Sequence, residues 1–163
     1  MTNEQVPKTM KALQLIKYNE DYKMATVPVP QAGEGDLLVK IAASSFCHTD
    51  LQVQQGVYES KCPMIPSHEP VGTIVALGTN IDTKWKVGQR VGILNFRHPC
   101  RQCDKCRWHM EAYGQPDARF CENKNMAGIT HDGGFAEYLT TDASTTVLLP
   151  ENLNNIRKQL PRV

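Results

Sequence analysis

Apolar residues in this chain come in short bursts of five to eight positions, and glycine or proline punctuates most of them. Residues 10–16 read as a first strand, with 22–29 as its hairpin partner across 17–21. The stretch 37–43 is strongly apolar, with Lys40 as its one polar break. Further strands are predicted over 71–77, 90–94, 135–140 and 145–149. Short helices are expected over 49–55 and 152–159. The segment 107–120, marked by Gly114, Pro116 and Asp117, reads as an irregular loop. Gly33-Glu34-Gly35 reads as a hairpin turn, with Leu38 where a dinucleotide fingerprint needs its third glycine. Many short strands with turn residues between them predict a mainly β fold, a closed or partly open barrel. There is no internal repeat.

Composition narrows the picture without changing it. The 163 residues suffice for one domain with a real core, and 40% are hydrophobic against 21% charged. Eighteen basic and seventeen acidic side chains leave a formal charge of +1. That balance offers nothing to nucleic acid or to an anionic membrane surface. Residues 1–8 carry no signal-peptide pattern, and no apolar run approaches the ~20 residues of a membrane helix. A cytoplasmic location is the expectation. Its reducing conditions disfavour disulfides among the six cysteines.

Four of those cysteines crowd one segment. Cys100-x2-Cys103-x2-Cys106 sets three sulfurs on a tight turn, and Cys121 supplies a fourth. Four thiolates in a polar loop are the ligand set of a structural zinc, whose binding would supply the stability that the loop's own apolar content cannot. Arg101, Lys105 and Arg107 offset the thiolate charge. A bacterial iron–sulfur run begins in the same way, but it continues with a close fourth cysteine followed by proline. Here Glu122 follows Cys121.

A second group is split along the chain. Cys47-His48-Thr49-Asp50 follows one predicted strand, and Pro66-Ser67-His68-Glu69 precedes another. Each alone is a weak signal. Together they offer the mixed sulfur and nitrogen donors of a catalytic zinc.

At this point a resemblance becomes specific. Cys47 to Leu51, Pro66 to Gly72, Lys86-Val87-Gly88-Gln89-Arg90-Val91-Gly92, the four-cysteine segment and His131-Asp132-Gly133-Gly134-Phe135-Ala136-Glu137-Tyr138 occur in one order. That series resembles the zinc-dependent medium-chain alcohol dehydrogenases, fungal and yeast types most nearly, from about residue 11 to 156. It implies a GroES-like, partly open β-barrel as the catalytic domain, with a structural-zinc lobe over about 97–125. It also implies oxidation of a small alcohol to an aldehyde or ketone with NAD or NADP. On the matching positions, Cys47 and His68 would hold the catalytic zinc, with Glu69 beside them. Thr49 would hydrogen-bond the reacting oxygen and pass on its proton. Asp50 would orient the ligating histidine, and His48 would contact the coenzyme pyrophosphate. Cys100, Cys103, Cys106 and Cys121 would hold the structural zinc. Thr49 and Asp50 equally suit the cap of the helix that starts there.

The sequence departs from the pattern in places. Gln52 stands where yeast-type members have a histidine at the end of the proton relay, so the relay would end in water. Ser67 replaces a common glycine, and the segment from Cys106 to Cys121 is about twice the usual length. Cys62 lies near the second group as a bystander thiol. The family's third catalytic-zinc cysteine would fall at about Val163, and no cysteine follows Cys121. No Gly-x-Gly-x-x-Gly opens a βαβ unit anywhere, so the Rossmann domain is expected to be missing and the chain inactive alone. A partner chain would then supply the coenzyme half. The alternatives are a stand-alone zinc-binding module of this fold without catalysis and, more remotely, a zinc hydrolase.

Overall fold

A computed structural model describes residues 6–150. The expected helix over 152–159 and the position of Val163 lie outside these residues. The described chain is mainly β. Strands β1 (Thr9–Gln14) and β2 (Lys23–Pro28) form the expected antiparallel hairpin, with Leu13 opposite Met24. Then come β3 (Asp36–Ser44), α1 (His48–Gln54), β4 (Pro70–Leu77), β5 (Arg90–Ile93), β6 (Phe96–Arg97), α2 (Asp104–Tyr113), β7 (Asn125–Met126), β8 (Tyr138–Asp142) and β9 (Thr146–Leu148). Five of them make an antiparallel sheet in the order β8-β3-β4-β5-β9. The sheet does not close into a barrel; its edges are β8 and β9.

The apolar first half of β3 is explained by burial on both faces. Leu37 and Val39 pack with Ile74, Trp85, Val91, Ile93 and Leu139 on one side. Leu38 turns the other way, onto Met10, Ala12, Ile65 and Tyr138. A strand covered on both sides has no reason to alternate. A third cluster, Leu15, Val53, Met64 and Ile129, seats α1 against the end of the hairpin.

Four expectations change. The segment 107–120 is helical over its first half, because α2 runs to Tyr113. Gly114, at φ 74°, ends the helix by donating its N–H to the Met110 carbonyl, so the glycine and the proline after it mark a helix stop. The turn at Gly33–Gly35 joins two sheets and is not a hairpin, since β3 pairs with β4 and β8. Residues 135–137 lie short of β8 and instead bond to β1 and β3: the Leu13 N–H donates to the Phe135 carbonyl (2.8 Å), and Ile41 donates to Glu137 (2.8 Å). Residues 143–145 form a 3-10 turn before β9.

Strands β6 and β7 pair as Phe96 with Met126 and Arg97 with Asn125. That short ladder closes the base of the segment carrying the four cysteines. The segment is also pinned to the large sheet. Asp36 at the start of β3 meets His98 Nε2 (2.9 Å) and Arg97 Nη2 (3.3 Å), while Asp142 at the end of β8 accepts from the His98 backbone N–H (2.7 Å). Burial pushes the Asp36 carboxyl upward, but the His98 bond and the Arg97 charge outweigh it, and its pKa is lowered. The Asp36 bond raises the pKa of His98 despite partial burial.

The charged pair stabilises the fold only while both partners are ionised. The Asp36 contribution is present above a carboxyl's ordinary range and is lost as pH falls through its lowered value. The His98 contribution is complete below the ordinary histidine range and is lost as pH rises through its raised value. In urea titrations, Asp36→Asn should cost about 1.5–3 kcal/mol near neutral pH, as expected for hydrogen bonds to charged groups. The stability difference between wild type and His98→Gln should shrink when the titration is repeated well above neutrality. A constant difference would contradict this account.

Candidate metal centres

Helix α1 begins in an unusual way. Its N-cap is Cys47, whose Sγ accepts the Thr49 N–H at 3.3 Å, and Asp50 returns Oδ2 to the Cys47 N–H at 2.8 Å. This is a reciprocal capping box with sulfur in the place of a hydroxyl. The cap expected at Thr49 is therefore Cys47, and Asp50 closes the box. The box fixes the Cys47 sulfur at the mouth of the bend between β3 and α1.

The same Asp50 reaches a second stretch of chain. Fully buried, it accepts the Ser67 N–H on Oδ1 at 2.9 Å, and His68 Nδ1 stands 3.8 Å from that oxygen. One carboxylate thus ties the segment of Cys47 to the segment of His68. Tyr22 hydrogen-bonds the Asp50 carbonyl (2.8 Å), and burial, then the Asp50 charge, raises the Tyr22 phenol to about 12. Ser67 is buried at φ 74°, a left-handed conformation that costs a non-glycine residue energy. Its hydroxyl compensates by donating to the Ser45 carbonyl (3.0 Å) and pairing with Ser44 Oγ (2.5 Å). The replacement of glycine by serine is therefore a built contact. Beneath it, the Gly134 N–H donates to the Ser67 carbonyl (2.7 Å), and a Cβ on Gly133 would strike that same carbonyl. The paired glycines let this loop cross under the bend.

The result is convergence. Cys47 Sγ and His68 Nε2 are 3.4 Å apart, and donor atoms of Cys47, His68 and Glu69 all lie within 4.8 Å of one another. Cys47 and His68 are half-buried and Glu69 is exposed. A soft thiolate, an imidazole and a carboxylate at this spacing fit a zinc-like cation. His68 Nδ1 is buried without a hydrogen-bond partner. A cation on Nε2 leaves Nδ1 as the protonated nitrogen, turned toward Asp50, as ligating histidines require. His48 is exposed at the first helical position, and Thr49 is half-buried beside Cys47. Gln52, one turn along α1, accepts from the Tyr58 hydroxyl at 3.0 Å, a contact that the sequence did not signal. Cys62 packs partly buried with the cluster of Leu15 and Met64, outside the donor group.

The four other cysteines also converge, with all four sulfurs within 4.8 Å of one another. Cys106 and Cys121 are buried, while Cys103 caps α2 without a side-chain cap bond, leaving its sulfur for the cluster. Backbone N–H groups of Cys100, Cys103 and Glu122 point at the sulfurs of Cys121, Cys100 and Cys103, at 3.4, 3.4 and 3.5 Å. Hydrogen bonds from the Gln102 and Cys103 backbone draw the Cys100 thiol down to about 6. Burial, then the Cys103 side chain, push Cys106 up to about 12. Four sulfurs crowded this closely suit a cation that holds all of them as thiolates.

Comparison with known proteins identifies the family and the fold. Residues 33–151 match the alcohol dehydrogenase GroES-like domain. Alcohol dehydrogenase 2 of Caenorhabditis elegans is 37% identical over 142 residues, covering 86% of this chain and 38% of its own length. The alcohol dehydrogenase of Geobacillus stearothermophilus is 37% identical over 147 residues, 89% of this chain and 41% of its own. Among solved structures, the alcohol dehydrogenase of Aeropyrum pernix superposes with a TM-score of 0.76 at 29% identity, over 90% of this chain and 42% of that one. Acetophenone reductase from Geotrichum candidum, in complex with NAD, gives 0.73 at 28% identity, over 90% and 42%. The chain spans about two-fifths of the length of the curated relatives it matches.

Asp50→Ala should leave the Cys47 and Ser67 amides unpaired in the interior and cost about 2–4 kcal/mol. Gly133→Ala should cost about 1–3 kcal/mol through the collision with the Ser67 carbonyl. Both are read from denaturant midpoints. An unchanged midpoint for Asp50→Ala would show that the bridge carries no weight.

Proposed function

The chain belongs to the alcohol dehydrogenase GroES-like domain family, and from that premise we propose that it is the zinc-holding half of an NAD- or NADP-dependent alcohol dehydrogenase. The substrate class is a small alcohol or the matching aldehyde or ketone. The observation that carries this reading is the meeting of Cys47, His68 and Glu69 over a buried Asp50. Cys47 and His68 would hold a catalytic zinc, with Glu69 at its open side, and Cys100, Cys103, Cys106 and Cys121 would hold a structural one. When bound, the catalytic cation supplies Lewis-acid polarisation of the substrate oxygen, and the nicotinamide supplies the acceptor for the two electrons.

The protein's own groups supply the rest. Thr49 lies next to Cys47 at the start of α1, where its hydroxyl would accept the substrate proton and orient the reacting oxygen. Asp50, behind His68, keeps the imidazole in one tautomer. His48, exposed at the helix start, would contact the coenzyme pyrophosphate. Gln52 cannot exchange a proton near neutral pH, so the proton would leave Thr49 for water. No residue in the sequence forms a Gly-x-Gly-x-x-Gly fingerprint, so the coenzyme site is supplied from outside these residues. Catalysis then needs that half, in the same polypeptide or on a partner chain. No described helix is long and apolar enough to cross a membrane.

Two measurements test this. Elemental analysis should find two zinc ions per chain, one of which disappears in Cys47→Ser while the other remains. A chelator strong enough to strip the second should expose the amides between β6 and β7 to hydrogen exchange, because the lobe lacks a core of its own. The purified chain alone should not reduce NAD with short alcohols. Joined to the coenzyme-binding half of the Geobacillus enzyme, it should turn over, and His68→Ala should abolish that turnover. A chimera that folds, binds NAD and holds both zincs yet stays inert would instead favour a zinc-binding module without catalysis.

A further inference from the structure

The segment between Cys106 and Cys121 does more than return a fourth sulfur. Together with Leu94, Phe96 and the turn before β9, it lines a cleft of about 960 Å³, at the upper end of the range for small-molecule sites. None of the residues assigned above to a metal, proton or coenzyme lines this cleft. Three of its aromatic side chains face water: Trp108 is 56% exposed, Tyr113 67% and Phe120 50%.

These rings hold one another in place. Trp108 meets Tyr113 edge-on at 5.8 Å, and His109 stacks on Phe120 at 4.8 Å while lying 5.3 Å from Tyr113. An ordered group of exposed rings around a concavity is a surface built for contact. Flat ring faces favour a flat partner, and the volume exceeds what a single ring needs.

Charge selects among flat partners. Asp117 is the one carboxylate of the lining, and Arg119 is bonded to both its oxygens, at 3.0 Å from Nε and 2.6 Å from Nη2. That pair cancels itself. Lys105, expected from the sequence to offset the thiolate charge, lines this cleft instead, exposed on the first turn of α2 and with no side-chain partner among the described residues. The cleft therefore carries one uncompensated positive charge beside an aromatic wall. A cationic ligand would be drawn to the rings but repelled by Lys105, and a neutral one would gain nothing from it.

We propose that this cleft binds a planar, fused-ring aromatic anion, stacked on Trp108 and edge-on to Tyr113, with its acidic group toward Lys105. The site stands independently of the dehydrogenase reading.

The test uses the full zinc-loaded chain and three probes of one shape: 2-naphthoate, neutral 2-naphthamide and cationic 2-naphthylmethylammonium. Binding is followed by calorimetry and by saturation-transfer NMR. Trp108 fluorescence adds a local signal, since the other tryptophan, Trp85, is buried. Naphthoate should saturate one site and bind about three- to five-fold tighter than the amide, the scale of an exposed ion pair. Lys105→Gln should erase that preference, and Trp108→Ala should weaken all ring binding about ten-fold. Both positions are exposed, so the fold should survive, with Trp85 emission as the check.

Equal affinity for acid and amide, or tighter binding of the ammonium, would overturn the proposal. So would naphthoate binding that Trp108→Ala leaves unchanged, or no saturation at millimolar concentration. If sedimentation shows a dimer that Trp108→Ala dissolves, the rings serve a second copy of the chain and the proposal also fails.

Discussion

The buried carboxylate of Asp50 connects the parts of this molecule on which any metal chemistry at Cys47 and His68 must rest. A full charge without solvent is expensive unless hydrogen bonds replace the lost water. Here they come from two backbone amides, one at the N-cap of α1 and one in the bend before β4. Those amides belong to Cys47 and Ser67, so satisfying the carboxylate places a sulfur and an imidazole side by side. The same group faces the ring nitrogen of His68 that a metal would leave free. Folding and site assembly share one interaction.

Around that point the scaffold is stiffened by close backbone packing. Ser67 accepts a left-handed conformation because its hydroxyl is used twice and its carbonyl is held by the Gly134 amide. Gly133 lies against that carbonyl, so the loop of 131–134 supports the bend from below. The hairpin β1–β2, bonded to 135–137, closes the other side of the same core. Each support comes from a different stretch of sequence, which makes the geometry cooperative.

The four-cysteine lobe is organised on another principle. It has a helix, a two-residue ladder at its base and an ionic anchor through Arg97 and His98 to Asp36 and Asp142, but little apolar core. Its buried centre is sulfur, at Cys106 and Cys121. Such a unit would gain its cohesion from a bound cation, and it takes its position from the anchor. The length between Cys106 and Cys121 then becomes free for other use, and it is spent on α2 and its row of exposed rings.

Much of this was legible in the residues themselves. Strand positions followed from short apolar runs between glycines and prolines, because strand patterning is local. Both donor groups were legible too, since cysteines and histidines announce metal chemistry by type and spacing. Other features depended on distant partners. Helix α2 was hidden because Gly114 and Pro116 look the same in a loop as at a helix stop. The displaced start of β8 and the turn at Gly35 depended on which strands found each other across the chain. That Cys47, rather than Thr49, caps α1 needed the bend after β3 to aim the sulfur. Residue type set which chemistry is available. Only tertiary packing decided that one buried carboxylate would bring Cys47 and His68 within 3.4 Å, because Asp50 and Ser67 stand 17 residues apart and only the folded chain brings them into hydrogen-bond reach.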